Sequence, residues 1–329
     1  VFTVATGTTL SYTTLDIAES GTIAEQGIIN FPSTYTVPTG GTVWLDRARS
    51  FTDLTVNGTI GHTPNVDSQQ YFMDLTVSGD LTVNSGGSIN LDGAGYASAA
   101  DNTSNGPGAG ANALNGQSGG GGAYGGDGGD SLNAAGGTAY GSTTNPVQLG
   151  SSGGTGDFDG WGGDGGGLAI LNVTGTTTIN GTVSANGIDG VTLNADGSGG
   201  GSGGGFNLTT GGLAGTGSVT ANGGAGGDSN DDGGGGGGGR IAINYTTGST
   251  TNLTLQAYGA AGPDIADEGA AGTVFTKAAS QTYGHLTIDN NGLVSSEYAD
   301  VVTLIGARDF DTLTASGSAK VVASSTTLT

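Results

Sequence analysis

Apolar and small polar residues alternate through much of this chain, most regularly between residues 165 and 259. Alternation places successive side chains on opposite faces of a strand, and no segment shows the apolar period of about 3.6 residues that marks a helix. One pattern occurs there three times: a Gly triplet, a block of apolar, Asn, apolar and Thr residues, and a second short block. The first blocks are Leu171-Asn172-Val173-Thr174, Phe206-Asn207-Leu208-Thr209 and Ile243-Asn244-Tyr245-Thr246, and the second blocks are residues 182–187, 218–223 and 254–259.

The second blocks recur at intervals of 36 residues (218 − 182 and 254 − 218). A unit of this length that cannot bury its own apolar face has to stack on its neighbours. We therefore predict an all-β fold, a right-handed parallel β-solenoid in which Leu171, Phe206 and Ile243 lie above one another in the interior. The three Asn residues that follow them are expected to form a ladder of side-chain amides, with a row of glycans at the same residues as the alternative; these residues are Asn172, Asn207 and Asn244.

Weaker repeats extend the pattern in both directions. Residues 51–58 resemble residues 72–79, residues 88–93 have the form of the second block, and residues 307–314 resemble residues 48–55. The solenoid is therefore expected to occupy residues 51–329. Residues 1–50 are expected to form a β-rich cap or assembly segment, in which Trp44 covers the end of the solenoid.

Four Gly-rich excursions interrupt the repeats, at residues 93–167, 187–205, 223–239 and 259–272. A long loop without structure is unusual inside a compact domain. All four begin and end at matched Gly positions, which disordered linkers have no reason to do. We therefore expect an ordered layer on one side of the solenoid, made of extended chains of the polyproline II type that hydrogen-bond to one another, with disorder as the alternative.

The composition and charge of the chain limit the kinds of core, covalent link and binding partner that it can have. The chain has 72 Gly residues, only 34% apolar residues and no Cys, so it cannot form a thick core, a disulfide or a thiolate metal site. Its 28 acidic and 6 basic residues give a net charge of −22. This charge disfavours nucleic acid and anionic lipid, and no apolar run approaches the length of a membrane-spanning helix. The chain begins with Val1 and shows no basic and apolar leader, which indicates a mature, processed product.

Two segments suggest calcium. Residues 125–132 fit the nonapeptide calcium-binding pattern, and residues 223–228 fit its first six positions. Carboxylate oxygens are the ligands that Ca²⁺ prefers. The candidate ligands are Asp127, Asp130, Asp228, Asp231 and Asp232, with solvated turn residues as the alternative interpretation.

Signs of catalysis are weak. Residues 116–120 match the nucleophile elbow G-x-S-x-G around Ser118, but no strand precedes them and no helix follows. His62 and His285 are the only histidines, and the six basic residues are scattered. We therefore predict no enzyme, no catalytic residue and no cofactor other than calcium. Paired carboxylates that would hydrolyse a neutral glycan remain open, because Asp is abundant.

Two segments carry a resemblance to a known class of proteins. The run GGGGGGGRIAI at residues 233–243 and the run GTVFTKAASQTYGHLTIDNNG at residues 272–292 resemble the Gly-rich parallel β-helix domains of large secreted and cell-surface proteins of bacteria and archaea. The resemblance covers roughly residues 51–320. It implies surface display, adhesion or assembly, and it brings no catalytic residues.

These observations predict an extracellular structural protein, either a filament subunit or a repeat of a giant adhesin-like surface protein. The chain stops at residues 327–329 in what resembles the middle of a strand, so copies are expected to join end to end by β-strand augmentation, this last rung pairing with residues near Val1 of the next copy. The alternative is a β-helix that binds or cleaves surface glycans. An ice-binding solenoid needs regularly spaced Thr residues, and the spacing here is irregular.

Overall fold

The computed structural model describes residues 2–4, 9–11, 21–25, 28–99, 103–113, 117–156, 161–193, 196–264, 266–294, 302–304 and 309–323. These residues form strands, turns and extended segments without any helix, so none of them belongs to a helix that could cross a membrane. The all-β prediction is confirmed.

Two large sheets organise the molecule, with strands numbered in chain order. Sheet 1 contains β1 (Phe2–Val4), β3 (Thr22–Glu25), β6 (Thr42–Trp44), β9 (Thr59–Gly61), β12 (Ser88–Asn90), β14 (Thr182–Ser184), β18 (Ser218–Thr220) and β20 (Thr254–Gln256). Sheet 2 contains β5 (Thr34–Val37), β7 (Arg49–Phe51), β8 (Asp53–Val56), β10 (Met73–Val77), β11 (Leu81–Val83), β13 (Leu168–Ile179), β17 (Gly205–Ala214), β19 (Arg240–Gly248), β21 (Thr273–Ala278), β22 (His285–Asp289) and β24 (Thr312–Ser316). Three small pairs are β2 (Thr9–Ser11) with β4 (Ile28–Asn30), β15 (Thr192–Leu193) with β16 (Asp196–Gly197), and β23 (Val302–Leu304) with β25 (Val321–Ala323).

The chain alternates between the two large sheets. From β5 to β21, each pass contributes to sheet 2 and then to sheet 1, and both sheets gain their strands in chain order. All of the pairs within this span of the two sheets are parallel. Parallel neighbours require a long connection between them, and here the other sheet and the Gly-rich excursions supply it.

One apolar core lies between the sheets. In sheet 1 it contains Val43, Ile60, Ile89, Val183 and Val219, each the middle residue of a three-residue strand. In sheet 2 it contains the column Leu75, Leu171, Leu208 and Ile243, which successive strands place side by side. Alternation explains both sets, since every second residue of a strand faces the same side.

Sheet 1 has the predicted register, because Thr182, Ser218 and Thr254 are direct partners. The predicted pairing of the first blocks is wrong, because the observed register is displaced by two residues. Leu171 pairs with Leu208, which pairs with Ile243, whereas Phe206 pairs with Ala169. The displacement is two residues, so Phe206 still faces the core. The register of β13 and β17 in sheet 2 shifts between Val173 and Thr176. After this shift, paired residues of β13 and β17 are separated by the same number of chain positions as paired residues of β14 and β18 in sheet 1.

The amide ladder is wrong for the same reason. Asn172 pairs with Thr209, and Thr209 pairs with Asn244. Asn207 is buried, and its Nδ2 atom donates a hydrogen bond to Oδ1 of Asn145 at 2.7 Å. A glycan row on all three residues is also contradicted, because a buried Asn207 cannot carry a glycan in this fold.

Residues 51–58 and 72–79 are similar in sequence, but corresponding residues of the two segments are not paired in sheet 2. Leu54 pairs with Leu81, whereas Leu75 pairs with Arg49 and Leu171. In each of these two passes a turn divides the sheet 2 segment into two strands, β7 with β8 and β10 with β11, and β13 then spans both as one strand of 12 residues.

The run of parallel strand pairs in sheet 2 is interrupted after β21. Its neighbour β22 is antiparallel to it, and β24 is then parallel to β22. Leu286 and Ile288 of β22 belong to a second, smaller core that includes Phe275, with Phe310 packed against it. The proposed terminal rung, residues 327–329, lies outside the described residues, and so does Val1.

The described parts of the Gly-rich excursions hydrogen-bond to one another with a period of three residues. Gly233, Gly236 and Gly239 donate to carbonyls of residues 227, 224 and 221; Gly234 and Gly237 donate to residues 119 and 122; Gly235 and Gly238 donate to residues 267 and 270. Three residues per turn is the geometry of polyproline II. Each of these segments therefore contacts three neighbours in turn, and a Cβ atom at Gly121 would lie 2.0 Å from the carbonyl oxygen of Gly235.

The described residues between positions 21 and 50 are continuous with the rest of sheet 1 and sheet 2. β6 pairs with both β3 and β9, and β5 pairs with β8. Trp44 therefore lies in an internal strand, where it pairs with Ala24 and Gly61.

Candidate functional site

The two candidate calcium ligands of the first motif, Asp127 and Asp130, form hydrogen bonds within a Gly-rich excursion. Oδ1 of Asp127 accepts a hydrogen bond from the amide of Ala139 at 2.5 Å, and Oδ1 of Asp130 accepts one from the amide of Gly136 at 2.7 Å. Both contacts close the turn between residues 130 and 139. A carboxylate that accepts backbone amides is held in place without a metal, so this turn has a structural explanation.

The candidates of the second motif lie in a turn next to β16. Oδ1 of the buried Asp232 accepts a hydrogen bond from the amide of Ser229 at 3.1 Å, and the carbonyl of Asp231 accepts one from the amide of Gly197 at 2.7 Å. Asp228 is exposed. Among the described residues, no three His, Asp or Glu side chains come together as a metal site would require.

Ser118, the centre of the elbow-like motif, is fully buried within the Gly-rich excursions. Its carbonyl accepts a hydrogen bond from the hydroxyl of Ser131 at 2.7 Å. Of the elbow-like segment, the structure describes residues 117–120, and they belong to neither a strand nor a helix. A nucleophile elbow requires a strand-to-helix turn that exposes the Ser, and the described residues of this motif do not have that geometry.

His62 joins the early strands to β13. Its Nε2 atom accepts a hydrogen bond from the amide of Leu168 at 3.1 Å, and its Nδ1 atom lies 2.9 Å from the carbonyl of Thr63. Burial lowers the pKa of His62, and this outweighs the opposing effects of the Thr63 carbonyl and the Asp46 carboxylate. The neutral imidazole is therefore a structural bridge.

Arg240 is a fully buried cation, and it has the largest volume among the fully buried side chains of the described residues. Its Nε atom donates to the carbonyl of Tyr140 at 2.8 Å, and its Nη1 atom donates to the hydroxyls of Thr143 and Thr273 at 3.3 and 3.2 Å. Burial lowers the pKa of Arg240, while Tyr124, Tyr140 and Asp127 oppose that effect in this order. This guanidinium fastens residues 124–143 onto sheet 2.

In the sequence, Arg240 is one of six scattered basic residues. The signal that pointed to it was its position: it directly follows the Gly run at residues 233–239 and opens a strand. This position alone does not predict burial, because an Arg side chain is almost never fully buried unless it is paired. Its partners come from residues 140, 143 and 273, which no local pattern connects.

A cavity of about 400 Å³ opens on the outer face of sheet 1. It is lined by Thr42, Trp44, Thr59, Gly61, His62, Pro64, Asn90, Asp92 and Ala94, which come from β6, β9, β12 and the segments that follow them. Asp92 is the single carboxylate among them. Its Oδ2 atom accepts a hydrogen bond from the hydroxyl of Ser184 at 3.0 Å, and its Oδ1 atom accepts one from the amide of Asn186 at 2.6 Å.

A column of hydroxyl side chains runs along the same face, one residue from each of seven neighbouring strands. Its members are Thr22, Thr42, Thr59, Ser88, Thr182, Ser218 and Thr254. The hydroxyls of Thr59 and Ser88 are 2.9 Å apart. The parallel column contains Trp44, Gly61, Asn90, Ser184, Thr220 and Gln256. Only two of these six residues carry hydroxyls, so the column gives the flat Thr array of an ice-binding face no support.

A second cavity, of about 340 Å³, lies at the other end of the stack. It is lined by Thr144, Asn244, Phe275, Lys277, Thr282, Tyr283 and Asp309. Lys277 donates a hydrogen bond to the carbonyl of Thr282 at 2.9 Å, so its ammonium group is already engaged. Among their described lining residues, this cavity and the one at Trp44 each contain one carboxylate, whereas glycoside hydrolysis uses a facing pair.

No family model matches this chain, and neither a curated protein nor a solved structure does.

Proposed function

We propose that this chain is a non-enzymatic structural protein that is secreted or displayed on a cell surface, and that its two sheets form one parallel β-solenoid. One observation carries the proposal: successive passes of the chain add strands to the two sheets in chain order. Each pass then rests mainly on the passes next to it, as in other repeat proteins. A molecule built this way grows along an axis, which suits a stalk, a fibre or the shaft of an adhesin.

The Gly-rich excursions support a mechanical role. Their amides and carbonyls bond to neighbouring excursions at nearly every residue, for example in Gly233–Gly239. Such a lattice allows little sliding of one segment past another, because a shift by one residue breaks contacts on three sides. The buried Arg240 and its partners then join this lattice to sheet 2. We infer that the excursions stiffen the solenoid.

We further propose that the chain is a repeat of a giant surface protein or a subunit of a filament, in which copies join by β-strand augmentation. The edge of sheet 1 supports this. In the described residues β20 ends the sheet, and it turns Thr254 and Gln256 toward β18, since Thr254 donates to Gly217 and Gln256 accepts from Ala221. In a parallel ladder the intervening residue, Leu255, directs its amide and carbonyl to the opposite side. Such an edge is a template for another strand.

The proposed environment agrees with the charge. A net charge of −22 keeps copies soluble and opposes contact with nucleic acid and anionic membranes, which leaves other copies of the chain, calcium and surface glycans as the proposed partners. Calcium would reduce the repulsion between copies. The Asp residues named above remain its predicted ligands.

Electron microscopy combined with sedimentation velocity tests this proposal. The purified chain should form elongated particles that lengthen end to end as its concentration rises, and calcium should favour the longer species. Particles that stay globular and monomeric at high concentration, with and without calcium, would contradict both the rod and its assembly. Glycan binding does not enter this experiment, so its outcome is independent of the inference that follows.

A further inference from the structure

We propose that the cavity beside Trp44 is a binding site for a neutral glycan, in which one sugar ring lies against the indole of Trp44. The proposal concerns a ligand and does not depend on the structural role described above. It rests on the shape of the cavity, on the chemistry of its lining and on its charge.

The shape of the cavity follows from one missing side chain. Trp44, Gly61 and Asn90 occupy the same column on three neighbouring strands, so Gly61 leaves a gap between two large side chains. Neighbouring strands are about 4.8 Å apart, which places the walls of the gap about 10 Å apart. A Cβ atom at residue 61 would lie 2.5 Å from the carbonyl oxygen of Asn90, so this strand position excludes a side chain. The resulting volume of about 400 Å³ suits a small ligand.

The two walls offer complementary chemistry. The half-buried indole of Trp44 is an apolar surface that can stack against the C–H groups of a sugar ring. Opposite it, Oδ1 of Asn90 accepts a hydrogen bond from the amide of Asp92 at 3.0 Å, and this orients the remaining NH₂ donor. The carboxylate of Asp92 is held by Ser184 and Asn186 and keeps free lone pairs for sugar hydroxyls. Thr42 and Thr59 add hydroxyls.

Charge favours a neutral ligand over an anionic one. The described lining residues of the cavity include no Lys or Arg and contain the carboxylate of Asp92, and the whole chain carries a charge of −22. An acidic polysaccharide would meet repulsion at every one of its carboxylates. A neutral chain meets none, and it finds further hydroxyls where the column continues along sheet 1 at Ser88, Thr182 and Ser218. A neutral oligosaccharide lying along this face therefore matches the site.

The two tryptophans of the chain give the experiment its reporter and its control. Trp161 is exposed, and it lies in a Gly-rich excursion outside the cavity lining. In the Trp161→Phe protein, Trp44 is the only tryptophan, so its fluorescence reports directly on the cavity. Cellohexaose, the N-acetylglucosamine hexamer of chitin, mannohexaose and maltohexaose would be titrated into this protein and into the wild type, with calorimetry as the second readout. Polygalacturonate serves as the anionic comparison.

We expect at least one of the four neutral hexasaccharides to bind saturably and to change the emission of Trp44. Trp44→Ala should weaken the association constant about tenfold or more, and Trp44→Phe should restore part of the loss. Trp161→Ala should bind as the wild type does. Thr59→Val changes only a hydroxyl of the lining, so it tests the cavity in a protein that folds even if Trp44→Ala does not.

Three results would overturn the proposal. The first is that none of the four hexasaccharides binds the wild type at about 1 mM. The second is that Trp44→Ala, correctly folded, binds the hexasaccharides as well as Trp161→Ala does. If Trp44→Ala does not fold, the corresponding result is that Thr59→Val binds them as the wild type does and that they leave the emission of Trp44 unchanged. The third is that polygalacturonate binds more tightly than the neutral chains, or that Trp44 emission responds to protein concentration alone, which would identify a second copy of the chain as the occupant.

Discussion

The guanidinium carbon of Arg240 lies 5.6 Å from the centroid of the Tyr124 ring, although the two residues are 116 positions apart in the chain (240 − 124). Both side chains are fully buried, and burial raises the pKa of Tyr124 to about 12. The pair joins the long Gly-rich excursion to the first residue of β19. A cation–π contact in such a desolvated position stabilises more than one at the surface.

Arg240→Ala should therefore lower the free energy of unfolding by about 3 kcal/mol, because it removes three charged hydrogen bonds and leaves a cavity. Arg240→Lys keeps the charge but not the fork of donors, so it should lie between Ala and the wild type. Denaturant unfolding measures the stability. Hydrogen exchange should show lost protection at residues 121–140 and unchanged protection in β12. Equal loss across the whole chain would contradict the assignment of Arg240 as a local tie.

Gly121→Ala should be among the most destabilising single substitutions in the chain. The added Cβ atom would lie 2.0 Å from the carbonyl oxygen of Gly235, which is backbone and cannot rotate away. We expect a loss of about 3 kcal/mol in the free energy of unfolding, at the upper end for overpacking. Gly156→Ala is the matched control, because its nearest atom would lie at 3.0 Å. If both variants unfold at the same denaturant concentration, the packing of the excursions differs from the one described.

His62 should make stability depend on pH below about 6.5. Burial lowers its pKa in the folded state, so the unfolded chain binds a proton first as the pH falls. Stability contributed by the neutral imidazole is therefore complete above about pH 6.5 and decreases as the pH falls below that value toward the folded pKa. Melting temperatures between about pH 7.5 and 5 should show this decline, and His62→Gln should flatten it.

His285 supplies the control for that measurement. It is exposed in β22, where its ring contacts the side chain of Gln281. In His285→Gln, which retains His62, the decline that is assigned to His62 should persist. A decline that persists in His62→Gln and disappears in His285→Gln would contradict the role given to His62.

Leu255→Pro should block assembly through sheet 1 while preserving the pairing of β20 with β18. Proline removes an amide that points away from β18, and it leaves the inner hydrogen bonds of Thr254 and Gln256 intact. Sedimentation velocity and electron microscopy should show shorter particles than for the wild type. Leu255→Val retains the amide and should assemble normally. Assembly of Leu255→Pro to wild-type lengths would exclude this edge as the joint.

Calcium binding should raise the melting temperature of the metal-free protein if the Asp-rich turns hold the ion. At about 100 times the dissociation constant, a ligand that binds only the folded state adds about 2.7 kcal/mol of stability. Asp130→Asn combined with Asp228→Asn should abolish the effect, whereas Asp67→Asn, an exposed position elsewhere, should not. The same rise in all three proteins, or no rise in the wild type, would contradict the predicted ligands.

Short-range pattern was enough to predict much of the fold. Alternation around Val183 and Val219 predicted strands with one buried face, and the 36-residue spacing placed Thr182, Ser218 and Thr254 in register. The interval is reliable there because each strand is followed by Ala and then by Asn or Tyr before Gly, so the turn is the same each time. The hydrogen bonds expected between Gly-rich excursions are present as well.

Sequence similarity between repeats did not predict the register of two strands where two alternative registers bury the same apolar side chains. Phe206 can lie over Leu171 or over Ala169, since a displacement of two residues keeps the same face inside. The bulky Phe206 ring is placed beside the small Ala169, a match of volumes that a comparison of apolar types does not contain. The antiparallel arrangement of β22 depends in the same way on the small core around Phe275.

The sequence by itself determined the all-β class and the register of the 36-residue repeats in sheet 1, because strand alternation, the Gly distribution and the repeat interval are local properties that every repeat expresses. Only the tertiary structure decided which residues come together: Arg240 lies against Tyr124, and Trp44 and Asn90 line one cavity on either side of Gly61. Both arrangements join residues from different passes, and the lengths of the excursions between passes are irregular. Their positions therefore follow from packing in three dimensions, which no periodicity along the chain encodes.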